Sequence, residues 1–249
     1  MLKGKTMNII IAKDYEQMSE RAFEIMRDVV VSNPNAVLGL ATGSTPLGLY
    51  ARMVRDHKEH GTSYKLVRTV NLDEYIGLDA AHPQSYAYFM RKNLFDSIDV
   101  DINNTNIENG KATDAQRECD RYNALLDAMP RDIQILGIGR NGHIAFNEPG
   151  TPFDSVTHVT ELTKSTVVAN SRLFADIADV PRKAFTMGLK NIMDSKRILL
   201  LASGADKADA VYALVHGQIT EAVPATVLKN HRDVTVVCDE AAASKLDKQ

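Results

Sequence analysis

The segment Gly137-Ile138-Gly139-Arg140-Asn141-Gly142-His143-Ile144-Ala145-Phe146-Asn147-Glu148-Pro149 joins a glycine-rich turn to a titratable pair. It follows the apolar run Ile133 to Leu136, which reads as a buried strand. Glycines at a strand's end let a ligand approach the backbone closely. His143 and Glu148 are residue types that move protons near neutral pH. Gly137, Gly139 and Gly142 also spell a dinucleotide fingerprint, with Glu161 at about the right distance beyond it. That motif needs a helix opening at its third glycine to hold a pyrophosphate. Here the chain runs into Pro149-Gly150, a turn signal, so nicotinamide and flavin binding are not expected.

Two further groups could do chemistry. Thr42-Gly43-Ser44-Thr45-Pro46 follows an apolar run and places hydroxyls and free N–H groups at a helix start, which suits an anion. Pro46 suits the first helical position, and Ser44 or Thr45 could cap it. The alternative is a well-capped helix with no ligand. No Walker loop is present. Asn71-Leu72-Asp73-Glu74-Tyr75 sets two acids side by side at another strand's end. Neighbours on an extended chain point to opposite sides, so one can face a cleft as a base while the other is structural.

The elements that position these groups alternate. Strands are expected at Asn8–Ala12, Ala36–Ala41, Leu66–Leu72, Ile133–Gly137, Ala184–Gly188, Arg197–Ala202 and Val234–Cys238, with a possible short one at Thr157–Thr160. Helices are expected at Tyr15–Ser32, Pro46–His60, Ser85–Leu94, Ala112–Ala128, Val180–Lys183, Gly204–His216 and Pro224–Lys229, with Met193 in a short turn. This pattern predicts an α/β fold: an open, mainly parallel, doubly wound Rossmann-like sheet with helices on both faces. In such a sheet the strands' C-terminal ends share one edge, where ligands bind. Thr42–Thr45, Asp73 and His143 can therefore meet in one pocket. An anion cradle, a carboxylate base and a histidine suit proton transfer on a phosphorylated substrate.

The 249 residues suit one domain, and 44% hydrophobic content supports a large core. No linker or repeat divides the chain. The polar stretch of about 151–180 after the glycine loop is expected to be a lid insertion, the alternative being an ordinary surface excursion. A net charge of −3 with mixed signs gives no reason to expect nucleic acid or a membrane as partner. The N-terminus lacks a signal peptide's apolar stretch, and Cys119 and Cys238 read as free thiols, so a cytoplasmic location is expected. No metal-ligand spacing occurs; His57 and His60 sit on a charged helical face.

The chain resembles the glucosamine-6-phosphate deaminase (glucosamine-6-phosphate isomerase) family from about Asn8 onward. The resemblance rests on Thr42-Gly43-Ser44-Thr45-Pro46, Leu72-Asp73-Glu74-Tyr75, His82-Pro83-Gln84-Ser85-Tyr86, the segment Gly139 to Pro149, and Ala169-Asn170-Ser171-Arg172. It implies conversion of glucosamine 6-phosphate and water to fructose 6-phosphate and ammonia, with no cofactor. It implies that His143 opens the sugar ring, that Glu148 orients and charges the imidazole, and that Asp73 takes the C2 proton. Thr42, Gly43, Ser44, Thr45, Arg172 and Lys207 would hold the phosphate. Many family members carry Asp at position 141; Asn141 can position a group but cannot take up a proton.

Two other readings fit parts of the chain. A 6-phosphogluconolactonase on the same fold would not need the Asp73 base in this form. A sugar-phosphate sensor from a transcription regulator predicts a DNA-binding helix-turn-helix ahead of the domain, where the first strand leaves no room for one. Longer relatives resemble hexamers activated at a second phosphate site. At the matching positions this chain has Thr151, Pro152, His158 and Thr160, which lack that site's fixed positive charges. A monomer or small homo-oligomer is therefore expected.

Overall fold

The computed structural model describes residues 7–163, 176 and 179–246. Seven parallel strands form the central sheet: β1 (Asn8–Ala12), β2 (Val37–Leu40), β3 (Arg68–Asn71), β5 (Thr105–Asn106), β6 (Ile133–Leu136), β9 (Ile198–Ala202) and β10 (Val234–Asp239). Their spatial order is β1-β10-β9-β6-β2-β3-β5. All neighbouring pairs are parallel. Strands β2, β6, β9 and β10 are buried at every position. Continuous apolar runs such as Ile198-Leu199-Leu200-Leu201 are what a strand covered on both faces requires.

Strand order reverses between β2 and β6. From β2 the chain builds outward through β3 and β5; from β6 it builds the other way through β9 and β10. The loops leaving β2 and β6 diverge at this switch point, where open α/β sheets hold their ligands.

Helices α1 (Tyr15–Ser32), α2 (Leu47–His60), α3 (Tyr86–Asn93) and α4 (Ala115–Ala128) cover the sheet together with shorter ones later in the chain. Asp14, Ser85 and Asp114 cap α1, α3 and α4 by accepting from Gln17, Tyr88 and Arg117 N–H groups. Arg52 on α2 reaches Glu16 and Glu20 on α1 at 2.8 and 2.7 Å, tying the two helices together.

The expected strand Leu66–Leu72 differs from what forms. β3 ends at Asn71, and the chain then leaves the main sheet as β4 (Asp73–Tyr75). β4 pairs antiparallel with β8 (Lys183–Thr186), and β8 pairs antiparallel with β7 (His158–Glu161). The helix expected at Val180–Lys183 is absent, because Lys183 opens β8 and β8 has strand partners on both sides. Leu189–Met193 is a one-turn helix rather than a bare turn, and Pro224–Asn230 is a 3-10 helix rather than an α-helix. Within the stretch expected to be a lid, residues 158–161 are a paired strand of the small sheet.

Candidate active site

A cavity of about 660 Å³ opens at the switch point, lined by Thr42–Thr45, Asp73, Tyr86, the glycine turn, His143, Glu148 and Lys207. All sequence-predicted site residues but one thus meet at one place. The exception, Arg172, lies outside the described residues.

The cradle follows from the way β2 ends. Tyr50 on α2 donates its hydroxyl to the Ala41 carbonyl at 2.6 Å and accepts from the Ala41 N–H at 3.2 Å. Tyr15 donates to the Ser44 carbonyl at 3.0 Å and accepts from Gly48 N–H at 2.8 Å. The expectation that Ser44 or Thr45 caps α2 is not met. Pro46 occupies the cap position, and no side chain takes the cap bond. Proline has no N–H to satisfy, Leu47 N–H goes to the Ser44 carbonyl at 3.4 Å and Gly48 N–H to Tyr15, so among the described residues the hydroxyls of Ser44 and Thr45 are the cradle's side-chain offer to an anion.

The adjacent acids divide as their geometry dictates. Glu74 is buried and accepts from the backbone N–H groups of Tyr75, Tyr86 and Ala87 at 2.8, 2.9 and 2.8 Å. It holds the N-terminus of α3 against β4. Asp73 faces the cavity and is 7% exposed. Among the described residues it accepts no hydrogen bond. Burial, and then the neighbouring Glu74 charge, push its carboxyl up to about 8. That is the range in which a carboxylate can act as a proton acceptor at neutral to slightly basic pH.

The glycine turn closes through Gly142 N–H to Gly139 carbonyl at 3.0 Å and Gly139 N–H to His143 carbonyl at 2.9 Å. The imidazole folds back over Gly139, where a Cβ would lie 2.3–2.5 Å from its ring atoms. Gly142 has φ +80°, and a Cβ there would meet Val223 at 2.4 Å. Gly142 therefore demands glycine, and at Gly139 a side chain would displace the imidazole. No helix opens at Gly142, in keeping with the rejection of the dinucleotide motif. The turn continues through Ala145, which adopts a left-handed φ of 51° unusual for a non-glycine residue. It is pinned by Phe146 N–H to Thr186 Oγ1 at 3.1 Å and by Asn147 Nδ2 to the Met187 carbonyl at 2.9 Å. The small sheet thus anchors the glycine turn.

Within it Glu148 sits between two partners. Asn141 Nδ2 donates to Glu148 Oε2 at 2.7 Å, and His143 Nδ1 lies 3.3 Å from Oε1. The His143 contact is an ion-pair approach rather than an aligned hydrogen bond. Contact with His143 is the main cause holding the Glu148 carboxyl below the usual range, with Asn141 adding to it. Asn141 Oδ1 also accepts from the His143 backbone N–H at 3.2 Å, so it ties Glu148 to the backbone that carries His143.

Lys207 reaches the cavity from the turn after β9. Asp239 shapes this turn by accepting from Ser203 Oγ at 2.5 Å, Gly204 N–H at 3.0 Å and Ala242 N–H at 2.8 Å. Four polar or aromatic lining residues were given no role in the sequence reading: Tyr86, Arg140, Phe146 and Asp206. Tyr86 and Phe146 stack with centroids 6.2 Å apart and planes 10° apart, and Tyr86 bonds Tyr75 through their hydroxyls at 3.1 Å. Tyr86 could have been found, since it closes the His82–Tyr86 motif, and Arg140 and Phe146 lie inside the Gly139–Pro149 segment; Asp206 carries no signal beyond adjacency to Lys207.

Among the described residues no three His, Cys, Asp or Glu side chains are grouped to hold a metal. No helix among them is long and apolar enough to cross a membrane. Cys119 and Cys238 are buried and unpaired by disulfides.

A family model described as glucosamine-6-phosphate isomerases/6-phosphogluconolactonase matches residues 12–237. The chain belongs to this family. It is 50% identical over 242 residues to a glucosamine-6-phosphate deaminase of Clostridioides difficile, covering 97% of each chain. It is 53% identical over 241 residues to one of Lactobacillus johnsonii, covering 97% of this chain and 98% of the other. A solved monomeric glucosamine-6-phosphate deaminase superposes with a TM-score of 0.93 at 49% identity, over 96% of this chain and 99% of its own. A 6-phosphogluconolactonase from Trypanosoma brucei shares the fold, with a TM-score of 0.80 at 19% identity, over 97% and 99% of the two chains.

Proposed function

We propose that this chain converts glucosamine 6-phosphate and water to fructose 6-phosphate and ammonia, as the names of its half-identical relatives indicate. One observation carries the reading. A carboxyl with a pKa raised to about 8, an imidazole–carboxylate pair and a hydroxyl-rich cationic rim line the same cavity. Isomerisation through an enolamine needs a base at an acidic C–H, a proton donor and acceptor at the ring oxygen, and a clamp on the remote phosphate.

The division of labour follows. His143 protonates the ring oxygen as the ring opens, and Glu148 orients and charges its imidazole. Asn141 positions Glu148 by donating to it, and takes no proton itself. Asp73 removes the proton at C2, giving an enolamine, and returns a proton at C1. The resulting imine at C2 adds water and loses ammonia, leaving the ketone. Thr42, Gly43, Ser44, Thr45 and Lys207, together with Arg172, hold the phosphate; binding energy spent there positions C2 over Asp73. We place the enzyme in the cytoplasm as a monomer or small homo-oligomer acting on a free sugar phosphate, without nucleic acid or membrane. Its mass in solution tests the assembly.

Ammonia release on adding glucosamine 6-phosphate tests the activity, with 6-phosphogluconolactone as the control. Turnover of the lactone without ammonia release from the amino sugar would refute it. Lys207→Ala tests the clamp: affinity for fructose 6-phosphate should fall, and unchanged affinity would remove Lys207 from it.

A further inference from the structure

Arg140 lies in the catalytic turn between Gly139 and Asn141 and has no part in the chemistry above. Its guanidinium lines the cavity and reaches across the mouth to the opposite turn, where Nε lies 2.9 Å from Asp206 Oδ2. Lys207 Nζ lies 3.7 Å from the same oxygen. Two cations from two different loops thus share one carboxylate oxygen at the rim. Asp206 is held below the usual carboxylate range, first by Arg140 and then by Lys207.

We propose that Arg140 is a specificity-determining residue for the phosphorylated substrate: a cation of the phosphate rim that exchanges Asp206 for the substrate's phosphate. The inference rests on the proposed function. Asp206 stands between the two cations, where an anion belongs. Arg140 engages it through Nε, and among the described residues its terminal nitrogens donate to nothing. Those nitrogens are the fork that reads phosphate oxygens in pairs. The Arg140 side chain is 78% exposed, so the existing ion pair is weak and leaving it costs little. Lys207 is less exposed and sits deeper on the same rim. A dianionic phosphate between Lys207 and the Thr42–Thr45 cradle draws Arg140 inward. Because Arg140 adjoins Asn141, which bonds Glu148 and His143, closure on phosphate also steadies the catalytic turn.

The test compares Arg140→Gln, Arg140→Lys and Asp206→Asn, reading kcat and KM for glucosamine 6-phosphate and competitive inhibition by inorganic phosphate. Both positions face solvent, and thermal melts confirm folding. Loss of one guanidinium–phosphate contact should raise KM and the phosphate inhibition constant about tenfold in Arg140→Gln, with a much smaller fall in kcat. Arg140→Lys should recover part of the loss. Asp206→Asn should move the inhibition constant the opposite way, because it frees both cations. If Arg140 and Asp206 form only a structural clasp, both variants weaken phosphate binding alike; that result, or an unchanged inhibition constant in Arg140→Gln, overturns the proposal. Titration of inorganic phosphate by calorimetry gives the same comparison without turnover. An enzyme that binds phosphate through Arg140 but releases no ammonia would refute the deaminase reading and leave this one standing.

Discussion

Asp73 and Glu74 are consecutive and both buried, yet Glu74 accepts three backbone N–H bonds while Asp73 accepts none among the described residues. The alternation of an extended chain sends one carboxyl into the cavity and the other to the start of α3. One side chain is thereby a structural anchor, and the other faces the cavity where the proposed mechanism needs a base.

Asp73→Asn should therefore abolish deamination while sparing binding. An amide of nearly the same shape fits the cavity but cannot accept the C2 proton. Loss of a positioned base typically costs about 10²–10⁴ in rate. Single-turnover kinetics and a fructose 6-phosphate titration separate the two effects; near-normal turnover removes Asp73 from the role.

The raised Asp73 carboxyl sets a pH dependence. The base must be ionised, so kcat/KM for the free enzyme should climb as pH rises towards about 8. Stability runs the other way. The folded pKa lies above the unfolded one, so the folded state holds its proton more tightly. The stabilisation is complete below the unfolded value of 3.8 and is lost as pH rises through about 8. Asp73→Asn should thus unfold at higher denaturant than wild type at pH 9, by on the order of a few kcal/mol. Equal stabilities at that pH would contradict the assigned burial cost.

Glu74 should behave as a structural residue. Glu74→Ala leaves three N–H groups, one buried and two partly buried, without their acceptor and frees α3 from β4, which should cost about 1–3 kcal/mol or more in chemical denaturation. Tyr86, at the start of α3, lines the cavity, so kcat should fall as well. Full stability in this variant would show that the N–H groups find other partners.

Gly139→Ala tests the close approach of His143. The added Cβ would stand 2.3–2.5 Å from the imidazole, which must swing away from Glu148. Misplacing a catalytic group by about 1 Å can cost on the order of 10²-fold. The expected phenotype is a large fall in kcat with a nearly unchanged thermal midpoint. Retained kcat would mean that the imidazole works from another position.

Allosteric activation is expected to be absent. Thr151 donates its hydroxyl to the Glu148 carbonyl at 2.7 Å, and His158 Nδ1 contacts the Val156 carbonyl at 2.8 Å. Neither presents a fixed positive charge to a second phosphate. Charge-assisted bonds are worth about 1.5–3 kcal/mol each, comparable to typical allosteric coupling of about 1–3 kcal/mol. Kinetics in glucosamine 6-phosphate should be hyperbolic, with N-acetylglucosamine 6-phosphate at most a weak competitor. A sigmoidal curve made hyperbolic by the acetylated sugar would overturn this.

The sequence alone determined the parallel sheet and the chemistry at its edge. Val37–Leu40, Ile133–Leu136 and Ile198–Ala202 are apolar at nearly every position, a pattern that only strands buried on both faces require. Glycines and Pro149 marked the loop that carries His143 and Glu148, because backbone restrictions act locally. Tertiary structure decided what depends on distant partners. β4 leaves the main sheet because β8, more than a hundred residues later, pairs with it. The same long-range pairing turned the expected helix at Val180–Lys183 into the approach to a strand. Which of Asp73 and Glu74 faces the cavity was set by the N–H groups of Tyr86 and Ala87, and the link between Arg140 and Asp206 joins residues 66 positions apart. Local propensity is written in neighbouring residues; burial, pKa and ion pairing depend on what the fold brings alongside.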